Sequence, residues 1–90
     1  MRVRAQVTGK VQGVYYRAST QETAQQLGLT GWVQNQVDGR VLFEAQGPAE
    51  AIMALLDWAR RGPAAAQVQA LNWEEVVTKQ PVEEWDFRIR

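Results

Sequence analysis

Twice along its 90 residues this chain passes from strand-like alternation to helical spacing and back to a strand. That order constrains the fold more than any composition value, because strand, helix and strand joined by short connections make one βαβ unit. Val3, Ala5 and Val7 alternate with Arg2, Arg4, Gln6 and Thr8, the period of a strand with one buried face. Gly9 and Gly13 interrupt the pattern. From about Arg17 to Leu27 the chain is rich in Ala, Gln, Glu and Leu and stops at Gly28, as a helix with a glycine C-terminal cap does. Its apolar stripe is thin, resting on Ala18, Ala24 and Leu27. Ser19 and Glu22 fit a capping box or fall inside the first turns, and both readings stay open.

Trp32 to Val37 and Arg40 to Ala45 flank Asp38-Gly39, a dipeptide that accepts the positive backbone angles of a two-residue hairpin turn. A strict two-residue register sets Asn35 opposite Leu42 and Gln34 opposite Phe43, which leaves neither face purely apolar; a bulge near Gly39 is the device that shifts it. The second helix opens at Gly47-Pro48 and closes at Arg60-Arg61-Gly62-Pro63. Ile52, Leu55, Leu56 and Ala59 recur on its inner face, flanked by Met53 and Trp58. Val68 to Val77 reads as a fourth strand, and Phe87 with Ile89 as a short final one. The predicted fold is α+β, a ferredoxin-like two-layer sandwich in the order β-α-β-β-α-β plus a short C-terminal strand. Its mainly antiparallel sheet carries two helices on one face and leaves the other partly open to water. Residues 1–90 are expected to form a single domain around one core.

Ten Lys and Arg residues balance ten Asp and Glu, which removes the electrostatic case for a nucleic-acid or anionic-membrane partner. Met1 to Lys10 already alternates and holds no long apolar run, so neither a signal peptide nor a spanning helix is expected, and the default location is cytoplasmic. The sequence contains no Cys and no His. Disulfides, thiol nucleophiles, a His general base and the common zinc sites are thereby excluded. No acidic cluster has calcium-loop spacing, so no metal and no cofactor are expected. Several features take an ordinary structural reading. Glu83 to Asp86 is a solvated turn, Glu74-Glu75 an exposed strand end, and the four Trp residues are core or sheet-surface groups. Of Tyr15 and Tyr16, one packs inward and one is partly exposed.

The segment Gly9-Lys10-Val11-Gln12-Gly13-Val14-Tyr15-Tyr16-Arg17 joins a strand to a helix. Glycines let backbone N–H groups converge, the helix N-terminus adds unpaired donors and partial positive charge, and Arg17 offers a planar fork matched to phosphate oxygens. A phosphate can be held there without a metal. The spacing is neither G-x-G-x-x-G nor G-x-x-x-x-G-K-[ST], so a nucleotide site is not supported.

Gly9 to Arg17 resembles the acylphosphatase signature G-x-V-Q-G-V-x-[FY]-R at every fixed position. A second signature is similar in Gly31-Trp32-Val33-Gln34-Asn35 followed by Gly39 and Val41. The likeness covers essentially the whole chain, including the closing Phe87-Arg88-Ile89-Arg90. It implies a hydrolase of acyl phosphates that yields carboxylate and inorganic phosphate, the latter also an inhibitor. It implies that Arg17 is the catalytic, phosphate-binding arginine and Asn35 the catalytic, water-orienting asparagine. Gly9, Lys10, Val11, Gln12, Gly13, Val14 and Tyr15 would then supply the phosphate cradle. Gln34 stands where many members carry Lys or Arg, which implies a less positive field near the site. An acyl phosphate has a good carboxylate leaving group, so holding the phosphoryl oxygens and the water in line supplies most of the catalysis. A monomer is expected. The rival class is an anion-binding or interaction module of the same fold without turnover. An RNA-binding module is disfavoured by neutral charge and by the missing aromatic-and-basic strand pattern.

Overall fold

The structure is a computed structural model and describes residues 1–77 and 83–90. Its elements are β1 (Arg2–Lys10), α1 (Tyr16–Gln26), β2 (Thr30–Asn35), β3 (Val41–Gln46), α2 (Ala49–Ala59), β4 (Gln67–Glu75) and β5 (Phe87–Ile89). They form one five-stranded sheet in the order β4-β1-β3-β2-β5. β1 pairs antiparallel with β3 and β4, β2 pairs antiparallel with β3, and β5 lies parallel to β2. This is the ferredoxin-like α+β arrangement that the periodicity predicts. Because β1, β2 and β5 run in one direction, all three finish at the same end of the sheet.

Alternation sorts the faces. Val3, Ala5 and Val7 of β1, Val33 of β2 and Val41, Phe43 and Ala45 of β3 are buried, and their register puts them on one face. Ile52, Leu55, Leu56 and Ala59 of α2 are buried as the spacing predicts, while Met53 stays exposed. For α1 the stripe differs. Tyr16, Thr20 and Ala24 turn inward and Ala18 is exposed, because the helix starts at Tyr16 and positions four apart share a face. The buried Thr20 hydroxyl donates to the Tyr16 carbonyl at 2.7 Å. Ser19 N–H donates to the Tyr15 carbonyl at 2.9 Å, so Ser19 lies inside the helix and the capping-box alternative falls.

The β2–β3 connection corrects the two-residue register. Gln36 N–H bonds the Arg40 carbonyl at 2.8 Å and Gly39 N–H bonds the Gln36 carbonyl at 3.1 Å. The loop is therefore Val37-Asp38-Gly39, with Gly39 at φ 95, the turn-plus-bulge form that only a residue tolerating positive φ closes easily. Asn35 now faces Val41, Gln34 faces Leu42 and Val33 faces Phe43. That one-residue shift gives β2 and β3 a common apolar face.

On the other face Arg2 and Arg4 converge on Glu44, with Arg2 Nε and Arg4 Nε at 2.8 Å from its two carboxylate oxygens. Arg2 and Glu44 are each 7% exposed. Glu84 completes the cluster through Arg2, so the expectation of a wholly solvated Glu83 to Asp86 turn fails at Glu84. Trp85 departs from expectation too: it is exposed, whereas Trp32 and Trp58 are half-buried.

Candidate functional site

Three strand ends and one helix start meet at the same end of the sheet, around a cleft of about 340 Å³. The connection after β1 lines it with Val11, Gly13 and Tyr15, and α1 adds Tyr16, Arg17 and Ala18. Asn35 enters from the end of β2 and Ile89 from the end of β5. Arg17 and Asn35, far apart in sequence, share this one cleft.

The remaining residues of the predicted cradle shape the loop from behind. Gly9 belongs to β1 at a bulge against β4. A Cβ there would lie 2.2 Å from the Gln67 carbonyl oxygen, so glycine is what allows the two backbones to approach. Lys10 ends β1 opposite Gln67 and is exposed. Val11 and Val14 are buried and anchor the loop in the core. The Gln12 amide donates to the Gln36 and Arg40 carbonyls at 2.8 and 3.0 Å. It thereby ties this loop to the hairpin that carries Asn35.

Gly13 has φ 75 and Tyr15 φ 63, the one non-glycine residue at positive φ among those described. Tyr15 is the N-cap of α1 and supplies no side-chain cap, and the first turn holds no acidic residue. The partial positive charge of the helix start is thus uncompensated, and Tyr16, Arg17 and Ala18, which carry the first-turn N–H groups, line the cleft. Among the described residues no carboxylate pairs with Arg17. Tyr16 is fixed differently. Its hydroxyl donates to the Ala59 carbonyl at 2.6 Å and its ring lies 5.5 Å from that of Trp58. Burial pushes the Tyr16 phenol well above its ordinary range, so it stays protonated and pins α1 to the end of α2.

Asn35 carries the most informative atom. Its Oδ1 is buried and has no hydrogen-bond partner among the described residues, in a site where buried acceptors are nearly always satisfied. Alternation turns Gln34 to the opposite face of β2, so its lack of charge acts only through the long-range field. Asp38, the nearest carboxylate in sequence, is engaged by Arg40, whose side-chain hydrogen bonds hold its carboxyl below the ordinary range. Ile89 was not a predicted site residue. Its parity with Phe87 was legible, but not the parallel docking of β5 on β2 that sets it opposite Val33. Arg90 stacks on Trp32, 4.3 Å from the ring centroid, outside the cleft. No group of three His, Cys, Asp or Glu able to hold a metal occurs among the described residues.

These features place the chain among small ferredoxin-like α+β proteins with a cationic cleft where parallel strands end. The Acylphosphatase family profile matches residues 3–89. An acylphosphatase of Methylococcus capsulatus is 55% identical over 75 residues, 83% of this chain and 82% of that protein. The solved structure of an acylphosphatase from Coxiella burnetii aligns with a TM-score of 0.89 at 43% identity, covering 99% of this chain and 90% of that one. The crystal structure of acylphosphatase from Bacillus subtilis gives 0.92 at 31% identity, covering 99% and 97%. The chain belongs to the acylphosphatase family, and it is an enzyme that hydrolyses acyl phosphates.

Proposed function

We propose that the phosphoryl group of the substrate sits in the loop from Gly9 to Arg17, that Arg17 grips its oxygens, and that Asn35 orients the attacking water. The observation that carries this reading is the buried Asn35 Oδ1, without a hydrogen-bond partner among the described residues, in the same cleft as Arg17. An amide offers an acceptor and a donor, so it can fix a water in position and orientation without taking its proton. The guanidinium fork and the first-turn N–H groups stabilise negative charge on the phosphoryl oxygens.

Water adds to phosphorus as the bond to the acyl oxygen breaks, and the carboxylate leaves with the electron pair. The water's proton passes to a phosphate oxygen. Protonated Tyr16 and Arg-bound Asp38 are both unsuited to act as a base, which supports this route. The enzyme is proposed to work without a metal, as a monomer of one domain in the cytoplasm, with phosphate as product and inhibitor. No helix among the described residues is long and apolar enough to cross a membrane.

The test is spectrophotometric hydrolysis of benzoyl phosphate by the parent chain and by Arg17→Ala and Arg17→Lys. Ala should lower kcat and weaken phosphate inhibition together, since the charge meets the phosphate in ground and transition states alike. Lys should restore only part, because an ammonium lacks the fork. Full activity in Arg17→Ala removes the mechanism, and a parent chain that binds phosphate but never turns over supports the module reading instead.

A further inference from the structure

The proposed phosphate cradle acts through Arg17 and the backbone N–H groups of the loop, which leaves the Tyr15 ring and the Ile89 side chain of the same cleft without a part in it. Tyr15 is 83% exposed and Ile89 42% exposed, and both line the same cleft as Arg17. Single exposed apolar residues are ordinary on a surface, but these two share one cleft with the cation, the mostly apolar lining with a placed polar group that small-molecule sites have. Tyr15 is also held at positive φ between buried Val14 and Tyr16, and a strained backbone kept by its surroundings is a feature of ligand sites. Ile89 is set from the other side by the pairing of β5 with β2.

Charge points the same way. Arg17 is the one charged side chain among the described residues that line the cleft. Arg40 is committed to Asp38 and Gln6, Arg90 to Trp32, and Lys10 lies outside the lining. With Arg17 occupied by the phosphoryl group, no further cation of the lining meets a second anionic group.

Building on the placement of phosphate at Arg17, we infer that the acyl group lies between the Tyr15 ring and Ile89, so that the enzyme selects acyl phosphates with an uncharged, apolar acyl body over those whose acyl group carries a second negative charge. The Tyr15 ring and the Ile89 side chain then set specificity: they touch the acyl group, while the backbone N–H groups of the loop and Arg17 hold the phosphate.

The experiment measures kcat/KM of the parent, Tyr15→Asn and Ile89→Thr on benzoyl, acetyl, butyryl and succinyl phosphates, with phosphate inhibition and thermal midpoint for each chain. Asn tolerates the left-handed backbone at position 15 and Thr keeps a β-branched residue in β5. The parent should turn over butyryl phosphate at least about tenfold more efficiently than succinyl phosphate, which has the same chain length but a terminal carboxylate. Each variant should lower the benzoyl-to-acetyl ratio by about tenfold, and in Ile89→Thr, which lies outside the loop from Gly9 to Arg17, the phosphate inhibition constant should stay close to that of the parent. An unchanged ratio in both variants, or equal use of butyryl and succinyl phosphates, overturns the inference. Should Ile89→Thr loosen β5, seen as a lower midpoint, Tyr15→Asn decides the matter alone. Failure of the underlying placement looks different: phosphate would not compete with any of the four substrates in the parent.

Discussion

Replacing Asn35 with Ala should separate catalysis from stability, because its buried Oδ1 bonds no group of the described residues. Ala therefore breaks no hydrogen bond from those residues to that atom. The loss is the packing of a small amide group on a half-buried residue, roughly 1 kcal/mol at about 0.8 kcal/mol per methylene-sized unit. The thermal midpoint of Asn35→Ala should therefore lie within about 8 °C of the parent, since 1 kcal/mol moves a domain of this size by about 4–8 °C. Catalysis should fall by about 10²-fold or more, equivalent to about 2.7 kcal/mol of transition-state stabilisation. Phosphate inhibition should persist, because Arg17 and the loop remain. Asn35→Asp adds a further discrimination: a carboxylate beside the phosphoryl site should weaken phosphate inhibition, an effect Ala lacks. The assay is benzoyl phosphate hydrolysis alongside phosphate inhibition and a melting curve for each variant. A folded Asn35→Ala enzyme with near-parental kcat refutes the water-orienting role. A midpoint lowered by about 15 °C or more shows that Asn35 braces the hairpin instead.

Activity should survive excess EDTA, and loss on chelation that a divalent ion restores would refute the metal-free mechanism. Glu44 should be a source of acid sensitivity. Burial alone would raise its carboxyl, but hydrogen bonds from Arg2 and Arg4 and their charges hold it below its ordinary value of 4.5. A depressed carboxylate contributes stability that is complete above that value and lost as pH falls through the folded-state value. The midpoint gap between parent and Glu44→Gln should thus be widest near neutrality and close in acid; a gap constant from about pH 7 to about pH 3 counts against it. Gly9→Ala should destabilise by about 2–4 kcal/mol, because its Cβ would meet the Gln67 carbonyl at 2.2 Å and φ there is +131. An unaltered melting curve would mean that β4 can yield at the bulge.

The fold was legible because two periodicities alternate cleanly, and α2 was legible to its individual buried residues. The failures have local causes. Asp38-Gly39 suits a two-residue turn as well as the three-residue loop with a bulge, and only the pairing partners decide. The inner stripe of α1 differs at Ala18 because buried Tyr16, anchored on Ala59 and Trp58, fixes the rotation of the helix and sets Thr20 and Ala24 on its own face. Glu84 looked solvated because its partner Arg2 lies at the far end of the chain, and a long-range ion pair leaves no mark on local composition. Arg17 and Asn35 stood out through the signature residues around them, but their meeting in one cleft depends on β1 and β2 running in the same direction. Ile89 escaped notice for the same reason, since nothing in Phe87-Arg88-Ile89 announces where a three-residue strand docks.

The central place of β1 has a consequence for how the enzyme comes into being. The strand that leads into the loop before α1 is made first, yet its two neighbours are β3 and β4. At ribosomal speeds of about 5–20 residues per second, the interval from Lys10 to Glu75 is roughly 3 to 13 s. During that time β1 has first two free edges and then one, each able to pair with another chain. Such distant pairings also slow the closing of the sheet after release. Substitutions that weaken β3 or β4 should therefore diminish the yield of soluble enzyme from cells well before they alter the turnover of the molecules that do mature.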